Sequence, residues 1–288
     1  MRILVTGGAG FVGSNLALRY RALSPAPSVV VLDNLHRRGS ELNLGRFREA
    51  GIEFVHGDIR EQSDLDSLEG NFDLLIEASA EPSVLAGLNQ SPEYLLRTNL
   101  VGTLNCLEFA RARAGGVVFL STSRVYSMQP LKALRLETSS TRFTLHAQQE
   151  APGVSRRGIA ETFPTQLPRS LYGASKLASE MILQEYADSY GVRAVINRCG
   201  VICGPGQFGK VDQGVFALWV IHHFFRRSLQ YTGFGGAGKQ VRDLLHPDDL
   251  FDLLLKQHDK LDEVSGRIFN IGGGDRVSTS LLELTEIC

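Results

Sequence analysis

Short runs of β-branched and other apolar residues alternate with longer helical stretches along the first part of the chain. Ile3 to Thr6 predicts a strand, Gly13 to Ala22 a helix and Ser28 to Asp33 a second strand. Glu53 to His56 predicts a short strand, Leu65 to Leu68 a short helix and Leu74 to Ala78 a strand. Tyr94 to Arg113 predicts a long helix and Val117 to Ser121 a further strand. Strands that are almost continuously apolar, separated by helices, belong to a parallel sheet covered on both faces. The predicted fold class is therefore α/β, a doubly wound parallel sheet.

From Ser127 to Ser170 the pattern breaks into a polar, Gly- and Pro-punctuated stretch, and a segment of that length without regular elements is usually functional. Helix and strand resume at Leu171 to Tyr190 and Val192 to Arg198. Beyond Gly204, glycine-rich pieces (Gly204 to Gly209, Gly233 to Gly238, Gly272 to Gly274) frame short elements, including the apolar run Val215 to Phe225. Two units are expected, residues 1–200, with 127–170 as a long ligand-side loop of that unit, and a smaller lobe over 201–288.

Composition narrows the partners. The 288 residues are 43% apolar, enough to bury a sizeable core and too apolar for a disordered chain. Lys plus Arg number 30 against 31 Asp plus Glu, a net charge of -1, so no basic excess points to nucleic acid or an anionic membrane. A small-molecule partner is expected. Cys106, Cys199, Cys203 and Cys288 are too scattered for a disulfide framework, and Cys199 and Cys203 have no second pair to complete a metal site. Reduced thiols and no metal are expected. The chain enters a strand at once, leaving no room for a leader peptide, and its apolar runs are far short of membrane-spanning length, so a soluble cytoplasmic protein is expected.

The first candidate chemistry follows the first strand. Thr6-Gly7-Gly8-Ala9-Gly10-Phe11-Val12-Gly13 places glycines at 7, 10 and 13 where a strand turns into a helix. Such glycines make the tight turn, bring backbone N–H groups to a pyrophosphate and let the helix pack closely, while the helix N-terminus favours the anion. In this context the loop predicts a Rossmann-type dinucleotide site. Asp33 ends the second strand 26 residues beyond Gly7, near the distance at which a carboxylate accepts from the adenosine ribose hydroxyls. A carboxylate repels a 2′-phosphate, so NAD is favoured over NADP, although Arg37 and Arg38 follow closely. Asp58, in Gly57-Asp58-Ile59 after the third strand, is placed for an adenine amino group.

The second candidate lies in Tyr172-Gly173-Ala174-Ser175-Lys176, where Tyr and Lys stand four apart and share a helix face. An ammonium and a nicotinamide cation both favour the phenolate of a neighbouring phenol, making Tyr172 a base toward a sugar or alcohol hydroxyl. Ser121-Thr122-Ser123 closes the strand at 117–120, at the carboxyl edge where ligand groups gather in such sheets.

Together, Gly7-x-x-Gly10-x-x-Gly13, Asp33, Asp58-Ile59, Asn99, Ser121-Thr122-Ser123 and Tyr172-x-x-x-Lys176 resemble an extended short-chain dehydrogenase/reductase of the nucleotide-sugar epimerase and dehydratase group. The resemblance spans almost the whole chain. It implies Thr122 as the catalytic hydroxyl, Tyr172 as base and Lys176 as its tuner and a ribose ligand. It further implies a cofactor site of Gly7, Gly10, Phe11, Val12, Asp33, Asn34, Asp58, Ile59, Ala80 and Asn99, the last near the nicotinamide end. Gly238-Lys239-Gln240-Val241-Arg242-Asp243 resembles the segment whose Arg meets the substrate diphosphate, so Arg242 is implied there, with Ser123, Arg124 and Gln213 as further substrate-side residues. A homodimer through the helices at 94–113 and 171–190 is implied as well.

Within that group, dehydratases carry an Asp-Glu pair after the catalytic Thr, to eliminate water across C5 and C6. Here those positions are Ser123 and Arg124, which disfavours a dehydratase and a uronate decarboxylase alike. Arg198-Cys199-Gly200-Val201 lacks the Asn usual in galactose 4-epimerases. Asp33-Asn34-Leu35, Phe54 to Arg60, Glu137-Thr138, Thr141-Arg142-Phe143 and Asp212-Gln213-Gly214 resemble the 2-epimerases of CDP-linked dideoxyhexoses. The expected activity is thus epimerisation of a CDP- or UDP-linked sugar, first at C2 through a 2-keto sugar. The alternatives are a UDP-sugar C4 epimerase or 4-reductase, and a non-catalytic NAD-binding redox sensor, which would need only the glycine loop and Asp33. Two departures stand out. Glu77-Ala78-Ser79-Ala80-Glu81 replaces the usual His-Leu-Ala after the fourth strand, and two carboxylates beside a cofactor phosphate are expected to point outward. The chain also ends well before such proteins usually do, so the second lobe is expected to lack a C-terminal piece.

Overall fold

The computed structural model describes residues 1–210 and 213–288. Asp212 of the Asp212-Gln213-Gly214 stretch lies outside the described residues. Five strands with the expected composition form in order: β1 (Arg2–Thr6), β2 (Ser28–Asp33), β3 (Glu53–His56), β4 (Leu74–Glu77) and β5 (Val117–Thr122). With the strands Ala194–Cys199 and Ile268–Ile271 they make a seven-stranded sheet in the order Ile268–Ile271, Ala194–Cys199, β5, β4, β1, β2, β3. Every pairing in it is parallel. The chain order reverses between β1 and β4, and in an open parallel sheet the crevice at the carboxyl ends beside that reversal is the ligand-binding place.

Strand alternation sorts the core. Ile3, Val5, Val29, Val31, Leu74 and Ile76 face one layer, which includes Leu16 and Tyr20 of α1 (Phe11–Arg21) and Leu250, Phe251 and Leu254 of the helix Pro247–Asp259. Leu4, Val30, Leu32, Leu75 and Phe119 face the other, with Leu107 of the helix Gly102–Arg113 and Leu183 of the helix Leu171–Tyr190. Both faces are buried, which is why the strands read as apolar runs.

Three elements differ from the sequence reading. The stretch expected as one helix over 94–113 runs from Glu93 but widens into a π turn at Arg97–Val101 before continuing as Gly102–Arg113. A helix at Asn43–Ala50 was not anticipated, being short and rich in charge. The 127–170 segment holds a one-turn helix (Met128–Lys132) and two small antiparallel pairs, Leu136–Thr138 with Phe143–Leu145 and Val154–Ser155 with Gly158–Ile159. None is long enough to produce a periodic signal.

The division expected at residue 200 is crossed by the chain. A second, three-stranded sheet (Val201–Ile202, Val241–Leu245, Ser278–Ser280) and the helix Val215–Phe224 form the smaller lobe. The helix Pro247–Asp259 and the strand Ile268–Ile271 return to the main sheet, where Phe251 meets Tyr20 edge-on at 4.9 Å. Their apolar side packs in one core layer with residues of α1 and of the strand Ala194–Cys199.

The long loop is tied to the second lobe through Glu283. Ser280 and Glu283 form a reciprocal cap on the helix Leu281–Ile287, as the S-x-x-E spacing requires. Arg142 from the loop binds the same carboxylate with two nitrogens, at 2.7 and 2.6 Å, and Thr141 adds a third bond at 2.7 Å. These bonds, led by Arg142, hold the Glu283 carboxyl down at about 2. A depressed carboxyl stabilises the fold above its unfolded value and loses that contribution as pH falls through the folded one. Wild type is therefore expected to lose roughly 2 kcal/mol more than Glu283→Gln between pH 5 and pH 2, solvent screening allowed for. Parallel acid denaturation curves for the two proteins would refute this.

Candidate active site

The glycine loop is built by contact. Gly7 sits at φ 63, and a Cβ there would come within 2.6 Å of the Ser79 backbone; one at Gly13 would press to 2.6 Å from Gly8 Cα. The turn therefore lies directly against the Ala78-Ser79 backbone, with Ala80 the next residue along the chain. Gly10 begins α1 without any side-chain cap, leaving the first N–H groups of the helix, those of Phe11 and Val12 among them, for an anion. Asp33 accepts from Ala9 N at 3.0 Å and from Leu35 N at 2.8 Å, so it braces the loop from the end of β2. Burial raises its carboxyl despite these bonds. A close-packed glycine turn, an uncapped helix start and a carboxylate at its edge fit a dinucleotide with free ribose hydroxyls.

At the adenine end the protein already uses its polar groups. Asp58 accepts from Arg60 and, at 2.8 Å, from Asn34 Nδ2, and although burial opposes it these bonds bring the carboxyl down to about 2. An adenine amino group would share that carboxylate with Arg60. Asn34 Oδ1 accepts from His36 N at 3.0 Å, and buried Ile59 packs where a Cβ at Gly102 would fall. Arg37, which could have met a 2′-phosphate, donates to Gln213 Oε1 and so joins the cofactor loop to the second lobe. Gln213 thus stands at the lobe boundary with its amide oxygen engaged.

The chemical residues converge from two elements, β5 and the helix Leu171–Tyr190. Thr122, the last residue of β5, caps the turn Ser123–Val125, accepting from Arg124 N at 3.2 Å. Ser170 caps the helix Leu171–Tyr190 through Gly173 N at 3.1 Å, setting Tyr172 in its first turn. The Thr122 hydroxyl stands close to Tyr172: burial pushes the phenol up to about 12, and the Thr122 hydroxyl is the chief opposing influence. Ser121 donates instead to Glu180 and is fully occupied, whereas Ser123 is exposed. Gly173 was missed by the sequence reading. A Cβ there would lie well inside 3.0 Å of the Arg124 carbonyl, so only glycine lets the helix seat Tyr172 against β5.

Asn99 is wholly buried at the centre of the π turn. It accepts from Glu81 N at 2.8 Å and donates to Glu81 O and Ser175 Oγ, both at 3.1 Å. It thereby clasps the loop after β4 to the helix carrying Tyr172 and Lys176. π turns inside helices recur at functional sites.

The expectation that Glu77 and Glu81 point outward fails for Glu77. Strand alternation sends Glu77 to the same face as Leu75, toward the helix Leu171–Tyr190, and its Oε2 lies 3.5 Å from Lys176 Nζ. Both side chains are 1% exposed. Glu81 is half-buried and accepts from Ser83 N at 3.1 Å.

On the substrate side, Arg124 and Arg242 approach from opposite lobes. Burial, and then the charge of Arg124, lower the Arg242 guanidinium from its ordinary value. Its hydrogen bonds go to Val241 O at 2.8 Å and Gln240 Oε1 at 3.3 Å, neither of them a carboxylate. Two cations brought together this way suit a diphosphate. No group of three or more His, Cys, Asp or Glu among the described residues could hold a metal ion.

The profile of the NAD dependent epimerase/dehydratase family matches residues 3–272. The chain belongs to this family. NAD is its cofactor and it is a nucleotide-sugar epimerase enzyme of the extended short-chain dehydrogenase/reductase type. It is 34% identical to a CDP-paratose 2-epimerase of Salmonella typhi, over 100% of this chain and 83% of that protein. It is 32% identical to a dTDP-glucose 4,6-dehydratase of Mycobacterium tuberculosis, over 86% of this chain and 66% of that protein. A solved dTDP-glucose 4,6-dehydratase of Bacillus anthracis in complex with NAD has a TM-score of 0.72 at 25% identity, covering 99% of this chain and 79% of that one. As in other members of the family, the core is the α/β sheet with helices on both faces. No helix among the described residues is long and apolar enough to cross a membrane.

Proposed function

We propose that this family member inverts C2 of a CDP-linked dideoxyhexose through a transient 2-keto sugar. The observation that carries the reading is the pair following Thr122: exposed Ser123 and Arg124 offer no carboxylate to eliminate water across C5 and C6. The 34% identity to a CDP-paratose 2-epimerase over the whole chain supports the same choice. Bound NAD would supply the reversible hydride acceptor for oxidation at C2 and reduction of the 2-keto sugar. Tyr172 takes the proton of the C2 hydroxyl with Thr122 sharing the same oxygen, and Lys176 favours the phenolate. Arg242 and Arg124 anchor the diphosphate while the 2-keto sugar turns its other face to the cofactor, and Tyr172 returns the proton to the C2 oxygen. The net reaction consumes no oxidant. Asp33 with Gly7, Gly10, Phe11 and Val12 holds the adenosine and pyrophosphate, Asp58 and Ile59 the adenine, and Ala80 and Asn99 flank the remainder.

A homodimer belongs with this reading, supported by the exposed Val101, Leu104 and Met181 on the two helices expected to pair. A cytoplasmic location is supported by four cysteines that are all free thiols. Proton NMR of the purified protein with CDP-paratose and no added NAD is expected to show a new anomeric signal from the C2-inverted sugar. Turnover of UDP-glucose or UDP-galactose alone would reassign the enzyme to C4. NAD-loaded protein that leaves CDP-paratose unchanged would overturn the C2 reading.

A further inference from the structure

The Glu77–Lys176 pair has no counterpart in the expectations from sequence. Glu77 closes β4 inside the sheet layer, 99 residues from its partner; Lys176 bonds its Oε2, and its Oε1 is buried without a hydrogen bond among the described residues. Lys176 Nζ lies 3.9 Å from the centre of the Phe119 ring on its other side. An ammonium has three donors, so the carboxylate and the ring fix its place while leaving it able to serve a ribose hydroxyl. Burying an unpaired carboxylate costs so much that one held solely against a lysine points to a function for the pair.

We propose that Glu77 is a positioning residue of this active site, holding the Lys176 ammonium one helical turn from Tyr172 and offsetting its charge there. The inference rests on the reading of Tyr172 as the base. The groups facing the pair are few. Cys106, from the helix Gly102–Arg113, is held well above its ordinary value by burial and then by Glu77, and stays a thiol. Cys199, at the end of its strand, is pushed up to about 12 by burial, with Lys176 opposing. Arg124 lies near Tyr172 and favours its phenolate, while Glu77 opposes it. Glu77 itself is raised by burial and drawn back by Lys176. Removing the carboxylate charge therefore leaves the ammonium acting on the phenol without an offset, and Tyr172 ionises more readily.

The test is the tyrosinate absorbance of NAD-loaded protein against pH, with Tyr172→Phe in each background subtracted to isolate that phenol. Glu77→Gln is expected to move the Tyr172 midpoint down by at least about half a pH unit, and Glu77→Asp, which keeps the charge, by clearly less. The acid limb of kcat/KM is expected to follow the midpoint. Should Glu77→Gln not fold, Glu77→His removes the same charge and is read in the same way. A midpoint that stays at the wild-type value in the neutral variant, or moves equally in the aspartate variant, overturns the proposal. The titration needs no sugar, so a wrong substrate would leave its outcome intact.

Discussion

Tyr172→Phe is expected to stay folded and loaded with NAD while turnover of the nucleotide sugar falls by about 10²- to 10⁴-fold, the usual worth of a positioned acid–base group. The phenol oxygen is the part of Tyr172 that the Thr122 hydroxyl at the end of β5 influences, and the ring remains in place when the oxygen is removed. Because burial pushes the phenol up to about 12, the base form is the minor one at neutral pH. Wild-type turnover should therefore climb with pH through the neutral range, and Tyr172→Phe should lose that slope together with the rate. Single-turnover formation of reduced cofactor, followed by absorbance, separates this from a binding defect. A variant with near-normal turnover would remove Tyr172 from its role.

Gly173→Ala is expected to cost nearly as much without touching a reacting group. The added methyl would collide with the Arg124 carbonyl oxygen and carbon, both under 3.0 Å from it, and backbone cannot yield as a flexible side chain does. The first turn of the helix Leu171–Tyr190 must then shift away from β5, separating Tyr172 from Thr122 and disturbing Arg124 on the substrate side. A displacement on the order of 1 Å is enough to lower a rate about 10²-fold. Turnover should drop by about that factor while NAD stays bound, since the glycine loop is built elsewhere. Wild-type kinetics in this variant would show that the helix can move without consequence. Alanine at Gly45, where nothing lies within 4 Å of the added methyl, is the matched control.

Legibility tracked the reach of each interaction. The apolar runs of β1 to β5, the helix at 171–190 and the first-turn glycines could be read because their causes are local: strand burial, helix spacing and the demands of a tight turn. Tyr172 and Lys176 were readable because four residues on a helix bring two side chains to one face. Ser280 and Glu283 carried a readable cap, but nothing near them announced that Arg142 would complete it. The return of Ile268–Ile271 to the main sheet was hidden for the same reason, since a short apolar strand is equally at home in either sheet.

By its own pattern, then, the sequence determined an α/β sheet, a dinucleotide loop ending in Asp33 and a Tyr–Lys pair on one helix, because each depends on neighbours a few residues apart. Tertiary structure alone decided that Thr122 meets Tyr172, that Arg124 and Arg242 converge from two lobes, and that Glu77 turns inward to Lys176. Those contacts join residues tens to more than a hundred positions apart, and their geometry exists only once strand alternation, helix docking and lobe closure have placed each side chain.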